Sequence, residues 1–217
     1  MVNNDVMKAN KVTNFRVVRE KHQQELRRGI LDDVSNLLVQ KGPNAITMRR
    51  IADTVGCSTT ILYTMFRNKQ GLVDELYLRG FELLRQSLAA VSYVDDLRNY
   101  IYALCLSYRD FALANPTYYS IMFLKAIAEY TPSEANLKLG QASLELLVQA
   151  IRDCITDQPE AEEEAWEIAR IIWATVHGHV GLELTGYANY SKASSQQMLE
   201  RALQALVNEL LPTIDQG

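Results

Sequence analysis

Apolar residues in the first part of the chain recur with the spacing of amphipathic helices. One helical stripe ends at Gly42-Pro43, where the chain cannot continue a helix, and it comprises Leu26, Ile30, Val34, Leu37 and Leu38. Thr47 is placed to cap a short helix that Gly56 ends, and Ser58 is placed to cap a second short helix, from Thr59 to about Met65. This part of the sequence therefore predicts three helices, the last two flanking a tight turn.

The rest of the chain keeps the helical period and contains no strand pattern. A long helix is expected from about residue 70 to Val91. Later helices are expected to end at Asn115-Pro116 and at Pro212. Their expected starts are Asp95 or Asp96, the cap Thr131-Pro132-Ser133-Glu134, the cap Asp157-Gln158-Pro159-Glu160, and Ser194-Ser195-Gln196-Gln197. The sequence predicts an all-α fold of about nine helices.

Charge is unevenly distributed along the chain. Residues 1–69 contain 12 Lys and Arg against 6 Asp and Glu, a net charge of +6, whereas residues 70–217 contain 10 against 20, a net charge of −10. A basic N-terminal part followed by an acidic remainder is expected if only the N-terminal part binds a polyanion, because phosphates repel the acidic remainder. No apolar run is long enough to span a bilayer, no secretory signal is evident, and a cytoplasmic location is expected.

The three cysteines, Cys57, Cys105 and Cys154, are widely spaced and form no C-x-x-C pair. We therefore expect reduced thiols in the core.

Residues 46–76, ITMRRIADTVGCSTTILYTMFRNKQGLVDEL, resemble the signature of the TetR family of transcriptional regulators. The shared features are Thr-x-Arg at the start of the second helix, Ile-Ala in its middle, Gly at the turn, and Leu-Tyr-x-x-Phe-x-x-Lys. The resemblance implies a helix-turn-helix DNA-binding domain at 21–69 and a helical-bundle ligand-binding and dimerisation domain at 70–217. The basic residues of the segment 1–20 indicate a flexible arm.

The same resemblance places DNA contacts at Thr47, Arg49, Ser58, Thr59, Thr60, Ile61, Tyr63, Thr64 and Lys69. Hydroxyls and free amides at helix N-termini can hold phosphates, and an Arg fork such as that of Arg49 can recognise guanine. The resemblance makes the second short helix, from Thr59 to about Met65, the recognition helix. It contains no Arg, Lys, Asn or Gln, so apolar contacts and DNA shape would contribute to specificity. The alternatives are that Thr47 and Ser58 are only caps, Tyr63 is a core aromatic and Lys69 is solvated surface.

Trp173-x-x-x-His177-Gly178 resembles the Trp-His-Gly class of TetR C-terminal domains. In the family, the last two long helices pack against their copies in a second subunit. This implies a homodimer whose interface involves Gly178, Gly181, Leu199, Leu203, Leu206 and Leu210.

Aromatic and Met side chains with a few polar tips suit a mid-sized apolar ligand. The candidate ligand-binding residues are Tyr108, Tyr118, Tyr119, Met122, Phe123, Trp173 and His177. An ordinary aromatic core is the alternative interpretation. No metal or cofactor is expected, because His177 and His179, two residues apart on a helix, point about 200° from each other.

The function indicated is a repressor that a small apolar or amphipathic ligand releases from a palindromic operator in double-stranded DNA. A ligand-dependent activator or co-repressed regulator is one alternative, and a helical protein whose basic head binds an acidic partner is another. An enzyme is not expected, because the sequence has no phosphate-binding Gly-rich loop, no H-E-x-x-H and no nucleophile elbow.

Overall fold

The structure is a computed structural model, and it describes residues 4–155, 161–187 and 191–212, with side chains from Phe15 onward. Ten α-helices lie in these residues: α1 Asn4–Lys41, α2 Met48–Val55, α3 Thr59–Phe66, α4 Lys69–Ala89, α5 Leu97–Ala114, α6 Pro116–Phe123, α7 Glu134–Gln141, α8 Glu145–Cys154, α9 Ala161–Leu184 and α10 Lys192–Leu210. Two short 3₁₀ helices span Pro43–Ala45 and Ala142–Leu144. The all-helical prediction is confirmed. None of the described helices is long and apolar enough to cross a membrane.

Local signals in the sequence place several helix ends. The side chains of Thr47 and Ser58 accept hydrogen bonds from the backbone N–H groups of Arg50 and Ile61, as N-caps do. Gly56 ends α2 in the left-handed region, with φ at 71°, which glycine adopts without a steric penalty.

Other ends differ from the predicted ones. Ser133, and not Thr131, caps α7, and Ser191 caps α10, which starts at Lys192 and not at Ser194. In both segments several Ser or Thr residues stand close together, and the pattern alone does not select the one whose hydroxyl meets the third amide of the helix. The cap predicted at Asp157–Glu160 lies outside the described residues.

The chain divides into two compact units. The first, the head, contains the chain up to Arg79 together with Ala126–Tyr130. In that short segment Ile127 is buried, and the Tyr130 hydroxyl donates to the Asp74 carboxylate at 3.0 Å. The boundary therefore falls inside α4 and not at residue 69, because the first half of α4 packs within the head.

The N-terminal segment differs from the prediction of a flexible arm. Helix α1 already begins at Asn4, so the described part of residues 1–20 is helical. Leu26, predicted to belong to the buried stripe, is 54% exposed, and the first buried side chain described on α1 is that of Ile30. The predicted stripe is therefore buried only from Ile30 onward.

The second unit, the body, contains Gly80–Lys125 and the chain from Thr131 onward. Helices α5, α8 and α9 pack on one another, and α10 packs on α9 and α5. Arg109, 4% exposed, forms an ion pair with Glu183, with 2.9 Å between Nε and Oε2. Arg98 donates to the Leu211 carbonyl at 2.9 Å, beyond the end of α10. These contacts fix α5 against α9 and α10.

Candidate nucleic-acid interface and ligand cavity

Helix α3 has one buried face and one exposed face. Leu62 and Phe66 are buried in the head, whereas Ile61 is 44% and Tyr63 is 51% exposed. The other exposed residues of this helix are polar, Thr60 and Thr64. Tyr63 is thus not a core aromatic, and this exposed face offers a phenol, an aliphatic side chain and two threonines for contact with another molecule.

The N-termini of α2 and α3 combine capping with exposure. Both capping bonds, from Arg50 N to Thr47 Oγ1 and from Ile61 N to Ser58 Oγ, are 3.3 Å long. Thr47 and Ser58 are exposed, and Thr59 is half-buried. Capping is therefore present in the structure, and the exposed hydroxyls keep the capacity to donate to a phosphate oxygen.

The two predicted basic contacts lie in different surroundings. Arg49 is exposed near the start of α2. Lys69 is half-buried, and its Nζ lies 3.8 Å from the Glu129 carboxylate of the short segment in the head. Arg49 is thus free to extend from the surface, whereas Lys69 would have to leave an exposed, weak ion pair to reach a phosphate.

Arg27 of α1 holds α3 in place, and sequence reasoning missed it. Its guanidinium lies 5.3 Å from the centre of the Phe66 ring, donates to the Met65 carbonyl and approaches Glu75 of α4 at 3.2 Å. Burial raises the pKa of Glu75, and Arg27 opposes this rise. Arg27 and Met65 are 38 positions apart, so no local pattern could reveal their contact.

The junction between α3 and α4 depends on a close backbone approach at Gly71. A Cβ on Gly71 would lie 2.2 Å from the Phe66 carbonyl oxygen, and the Gly71 N–H donates to Asn68 Oδ1 at 2.8 Å. Arg67 between them has a positive φ of 65°. The turn that joins the exposed helix to α4 therefore requires glycine at position 71.

The body contains a small cavity between α4, α5, α8 and α9. Within it, the centre of a water-sized sphere can reach about 30 Å³. The wall is formed by Leu84, Leu88, Leu104, Cys105, Tyr108, Ser143, Leu144, Leu146, Leu147, Trp173 and Val176. Burial raises the pKa of Cys105 to about 12 and raises that of Tyr108 as well, so the wall carries no charge near neutral pH.

A hydrogen-bonded aromatic cluster borders this cavity. Trp173 Nε1 donates to the Tyr108 hydroxyl at 3.2 Å, and the Tyr119 and Tyr108 hydroxyls lie 2.6 and 3.2 Å from His177 Nδ1. Burial lowers the pKa of His177 and raises that of Tyr119 to about 12. Phe123 completes the cluster, with its ring centre 5.3 Å from that of His177. At neutral pH the cluster is uncharged, and the two tyrosine hydroxyls, Trp173 Nε1 and His177 Nδ1 are paired with one another.

The predicted ligand-binding residues fall into three groups. Tyr108 and Trp173 line the cavity, whereas Tyr119, Phe123 and His177 join it through the aromatic cluster. Tyr118 and Met122 are buried, and Met122 packs where a Cβ on Gly80 would lie, 2.5 Å from its sulfur. Sequence reasoning missed the leucines of the wall, because leucine is the ordinary residue of any helical core.

Two family models match the chain. "Bacterial regulatory proteins, tetR family" matches residues 30–76, which include the exposed helix α3, and "Tetracyclin repressor-like, C-terminal domain" matches residues 101–206. The chain belongs to the TetR family. It is therefore a DNA-binding transcriptional regulator, and members of this family are transcription factors without enzymatic activity.

Solved structures share the fold of this TetR-family chain. The regulatory protein SCO4313 is 22% identical, with a TM-score of 0.73 over 87% of this chain and 98% of that one. PfmR, a TetR family regulator from Thermus thermophilus, is 15% identical, with a TM-score of 0.63 over 82% and 97%. A single-residue variant of TetR from Acinetobacter baumannii AYE, in complex with minocycline, is 19% identical, with a TM-score of 0.58 over 85% and 97%. No curated protein sequence matches the chain.

The last two helices of this TetR-family regulator each leave one apolar face uncovered. Leu199 and Leu203, predicted at a dimer interface, are fully buried inside the subunit, which corrects that prediction: their stripe faces the subunit's own core. Gly178 is exposed, Gly181 is half-buried, and a Cβ on either would meet nothing within 4 Å. Leu206 and Leu210 are half-buried. The uncovered faces also include residues that sequence reasoning missed: Ile171, Ala174, Leu182, Met198, Ala202 and Ala205.

The two histidines of α9 have separate partners. His177 joins the aromatic cluster, whereas His179 Nε2 lies 2.8 Å from Ser195 Oγ of α10. Across residues 4–155, 161–187 and 191–212, no three His, Cys, Asp or Glu side chains gather to hold a metal ion.

Proposed function

We propose that this TetR-family chain is a homodimeric repressor, located in the cytoplasm, that a small apolar or amphipathic ligand releases from a palindromic operator. The observation that carries the DNA-binding part is the exposed face of α3, where Ile61 and Tyr63 stand in solvent beside Thr60 and Thr64. A short helix of this kind fits the major groove of B-DNA, and a Thr or Ile methyl can contact the methyl group of thymine.

In this proposal the predicted DNA contacts have two roles. Thr47, Ser58, Thr59, Tyr63 and Lys69 bind phosphates and set the position of the head. Arg49, with Thr60, Ile61 and Thr64, reaches base edges, and DNA shape supplies the remaining specificity.

Selection of bound sequences from a random duplex pool tests the operator. We expect one palindrome whose half-sites are roughly 34–36 Å apart, and binding that weakens steeply with salt. A selected sequence without symmetry would reject the dimeric arrangement. Recovery of no preferred sequence, with tight binding to an acidic partner, would favour the helical interaction protein instead.

The dimer is proposed to form through the uncovered faces of α9 and α10. Small residues at Ala174, Gly178 and Ala205 allow another helix to approach closely, and Ile171, Leu182 and Met198 supply apolar area. A second copy of this chain is the occupant, because a palindrome needs two heads related by two-fold symmetry. Sedimentation equilibrium of the full chain should show a dimer, and a monomer at micromolar concentration would contradict it.

The ligand is proposed to bind in the cavity bordered by Tyr108 and Trp173. The present space of about 30 Å³ is far below the roughly 150 Å³ cavity that accepts benzene, so binding must displace wall side chains. Because the wall and the aromatic cluster are uncharged at neutral pH, a carboxylate would lose its hydration without gaining a partner of opposite charge. An uncharged apolar molecule is therefore preferred.

A matched pair of ligands tests this preference. Decanol and decanoate differ in charge but hardly in length, and Trp173 fluorescence reports on the cavity once Trp166→Phe removes the other tryptophan. Decanol should change the fluorescence and lower operator affinity, while decanoate should do neither. Equal or tighter binding of decanoate would reject the uncharged cavity, and a ligand that raises operator affinity would favour the co-repressed or activator alternative.

Membership of the Trp-His-Gly class is a further part of the proposal. Trp173 and His177 are four residues apart on α9, and their ring centres lie 5.2 Å from each other, so the residues that carry the resemblance form one unit. Replacement of Trp173 and His177 should change how strongly a ligand lowers operator affinity, and should change the operator affinity of the ligand-free protein less. Trp173→Ala with unchanged ligand response would show that Trp173 takes no part in ligand binding.

Release would occur by a shift between two populations of the dimer. Helix α4 runs from the head, at Lys69, into the body, at Ala89, and is the expected connection between ligand and DNA. A ligand that binds more tightly to the body conformation in which the two heads lie farther apart shifts the dimer toward that conformation. Operator binding then weakens by at most the ratio of the ligand's affinities for the two conformations.

A further inference from the structure

The N-terminal part of α1 extends from the head without being buried in it. Every described side chain from Phe15 to Leu26 is exposed. From Asn4 to Leu26 the helix is roughly 34 Å long at the ordinary rise per residue. Most helical stability in proteins comes from packing, and the side chains described in this extension are not packed, so a binding partner would stabilise it further. The question is which partner the exposed side chains fit.

One stripe of this extension lies beside the recognition helix. Glu20, Gln23, Gln24 and Arg27 of α1 border a common cleft with Thr64 and Met65 of α3. At its inner end, Arg27 contacts Phe66 of the core, and toward the N-terminus the same stripe becomes fully exposed. The extension thus continues alongside the surface that displays Thr64.

The stripe is basic beyond the cleft. Arg16 precedes Glu20 by one turn, and Arg19 is three residues after Arg16, so both lie on the stripe that borders α3 or next to it. Val18 lies on the opposite side of the helix, whereas Phe15 lies one turn before Arg19, at the edge of this basic surface. Exposed arginines beside a recognition helix are complementary to the phosphates of the sugar-phosphate backbone, which receives half or more of the hydrogen bonds between proteins and DNA.

We propose that Arg16 and Arg19 form a second DNA contact, which binds backbone phosphates next to the half-site occupied by α3. This inference rests on the operator binding proposed above and extends it beyond the helix-turn-helix. The occupant is the same duplex, because residues 1–69 carry a net charge of +6 whereas the whole chain carries −4, and the extension begins at the face of α3. The contact lengthens the footprint of each head without adding base recognition.

The test uses the full chain and the selected operator in two lengths. One duplex ends at the half-sites, and the other continues by about ten base pairs, one helical turn, on both sides. The wild type should bind the longer duplex more tightly. The double variant Arg16→Gln/Arg19→Gln should bind both duplexes equally, with the base preference of the half-site unchanged.

Salt dependence supplies a second readout. Each phosphate contact contributes a slope of about −0.9 to log affinity against log salt, so the double variant should lose roughly 1.8 per subunit. The control is Arg85→Gln/Lys138→Gln, which removes two exposed basic residues of the body and should keep the wild-type slope. All four positions are exposed, so folding is not at stake.

An unchanged slope in the Arg16 and Arg19 variant, or equal wild-type affinity for the two duplexes, would overturn the second contact and leave the operator proposal intact. Absence of sequence preference in the wild type would reject the operator proposal itself, and this inference with it.

Discussion

Arg49 is the one arginine of the predicted interface, and its guanidinium fork can form a bidentate contact with guanine. It is exposed, and no hydrogen bond or ion pair restrains it among the described residues. Arg49→Ala should therefore cost about 1–3 kcal/mol of operator affinity and relax the preference at one base position. Binding titrations against operators with single base changes measure both effects, with Arg85→Ala as the control. A uniform loss across all sequences would show that Arg49 touches only phosphate.

Gly71 allows α4 to start against the last turn of α3. In Gly71→Ala the new Cβ would meet the Phe66 carbonyl oxygen, so the turn must open, at a cost of about 1–3 kcal/mol. Urea unfolding should show this loss, and operator affinity should fall because the recognition helix moves. Gly29→Ala is the matched control: its Cβ would meet nothing within 4 Å, and a helical Gly to Ala change should stabilise by about 0.5–1 kcal/mol. Unchanged stability in Gly71→Ala would contradict the close approach.

His177 should make the body sensitive to mild acid. Burial lowers its pKa from the ordinary 6.5, so below about pH 6.5 the unfolded chain binds more protons than the folded one, and stability falls as the pH falls. Melting temperatures from about pH 7.5 to about 5.5 should decrease more in the wild type than in His177→Asn. His22→Asn changes an exposed histidine and should behave as the wild type. Parallel pH profiles for all three proteins would mean that folding does not lower the pKa of His177.

At the scale of the helices, Gly178 distinguishes packing inside the subunit from packing between subunits. A Cβ there would meet nothing within 4 Å and the position is exposed, so Gly178→Leu should fold normally. Across a dimer interface the same side chain would separate the two helices, because interhelical distance follows side-chain size. We expect at least about a tenfold weaker dimer, or roughly 1.4 kcal/mol, by sedimentation equilibrium. Lys138→Leu adds an apolar side chain at an exposed site of α7 and should leave the dimer intact. An unaffected dimer in Gly178→Leu would place the interface elsewhere.

At the scale of the whole molecule, ligand and operator should weaken each other by the same factor. If one body conformation favours decanol and another favours the operator, the coupling is expected to be about 1–3 kcal/mol, or 5–150-fold. Titration of decanol into the free dimer and into the operator complex, followed by Trp173 fluorescence in the Trp166→Phe background, measures this factor. Equal affinity in both states would mean that an occupied cavity does not control DNA binding.

Features that depend on neighbouring residues could be predicted from the sequence alone. The caps at Thr47 and Ser58, the left-handed turn at Gly56 and the helical period follow from contacts within one or two turns. The family followed from residues 46–76, because the helix-turn-helix is continuous in the chain. Even here, the choice among neighbouring serines at the start of α10 was decided by the backbone and not by composition.

Only the tertiary structure decided which surface covers each stripe. The leucine stripe of α10 fits a dimer interface and a subunit core equally well by its spacing, and the structure buries Leu199 and Leu203 in the subunit. Arg27 beneath α3 and the leucine wall of the cavity bring together residues from distant parts of the chain. The physical reason is that helical periodicity specifies which side chains share a face, whereas burial of that face depends on which distant helix packs against it.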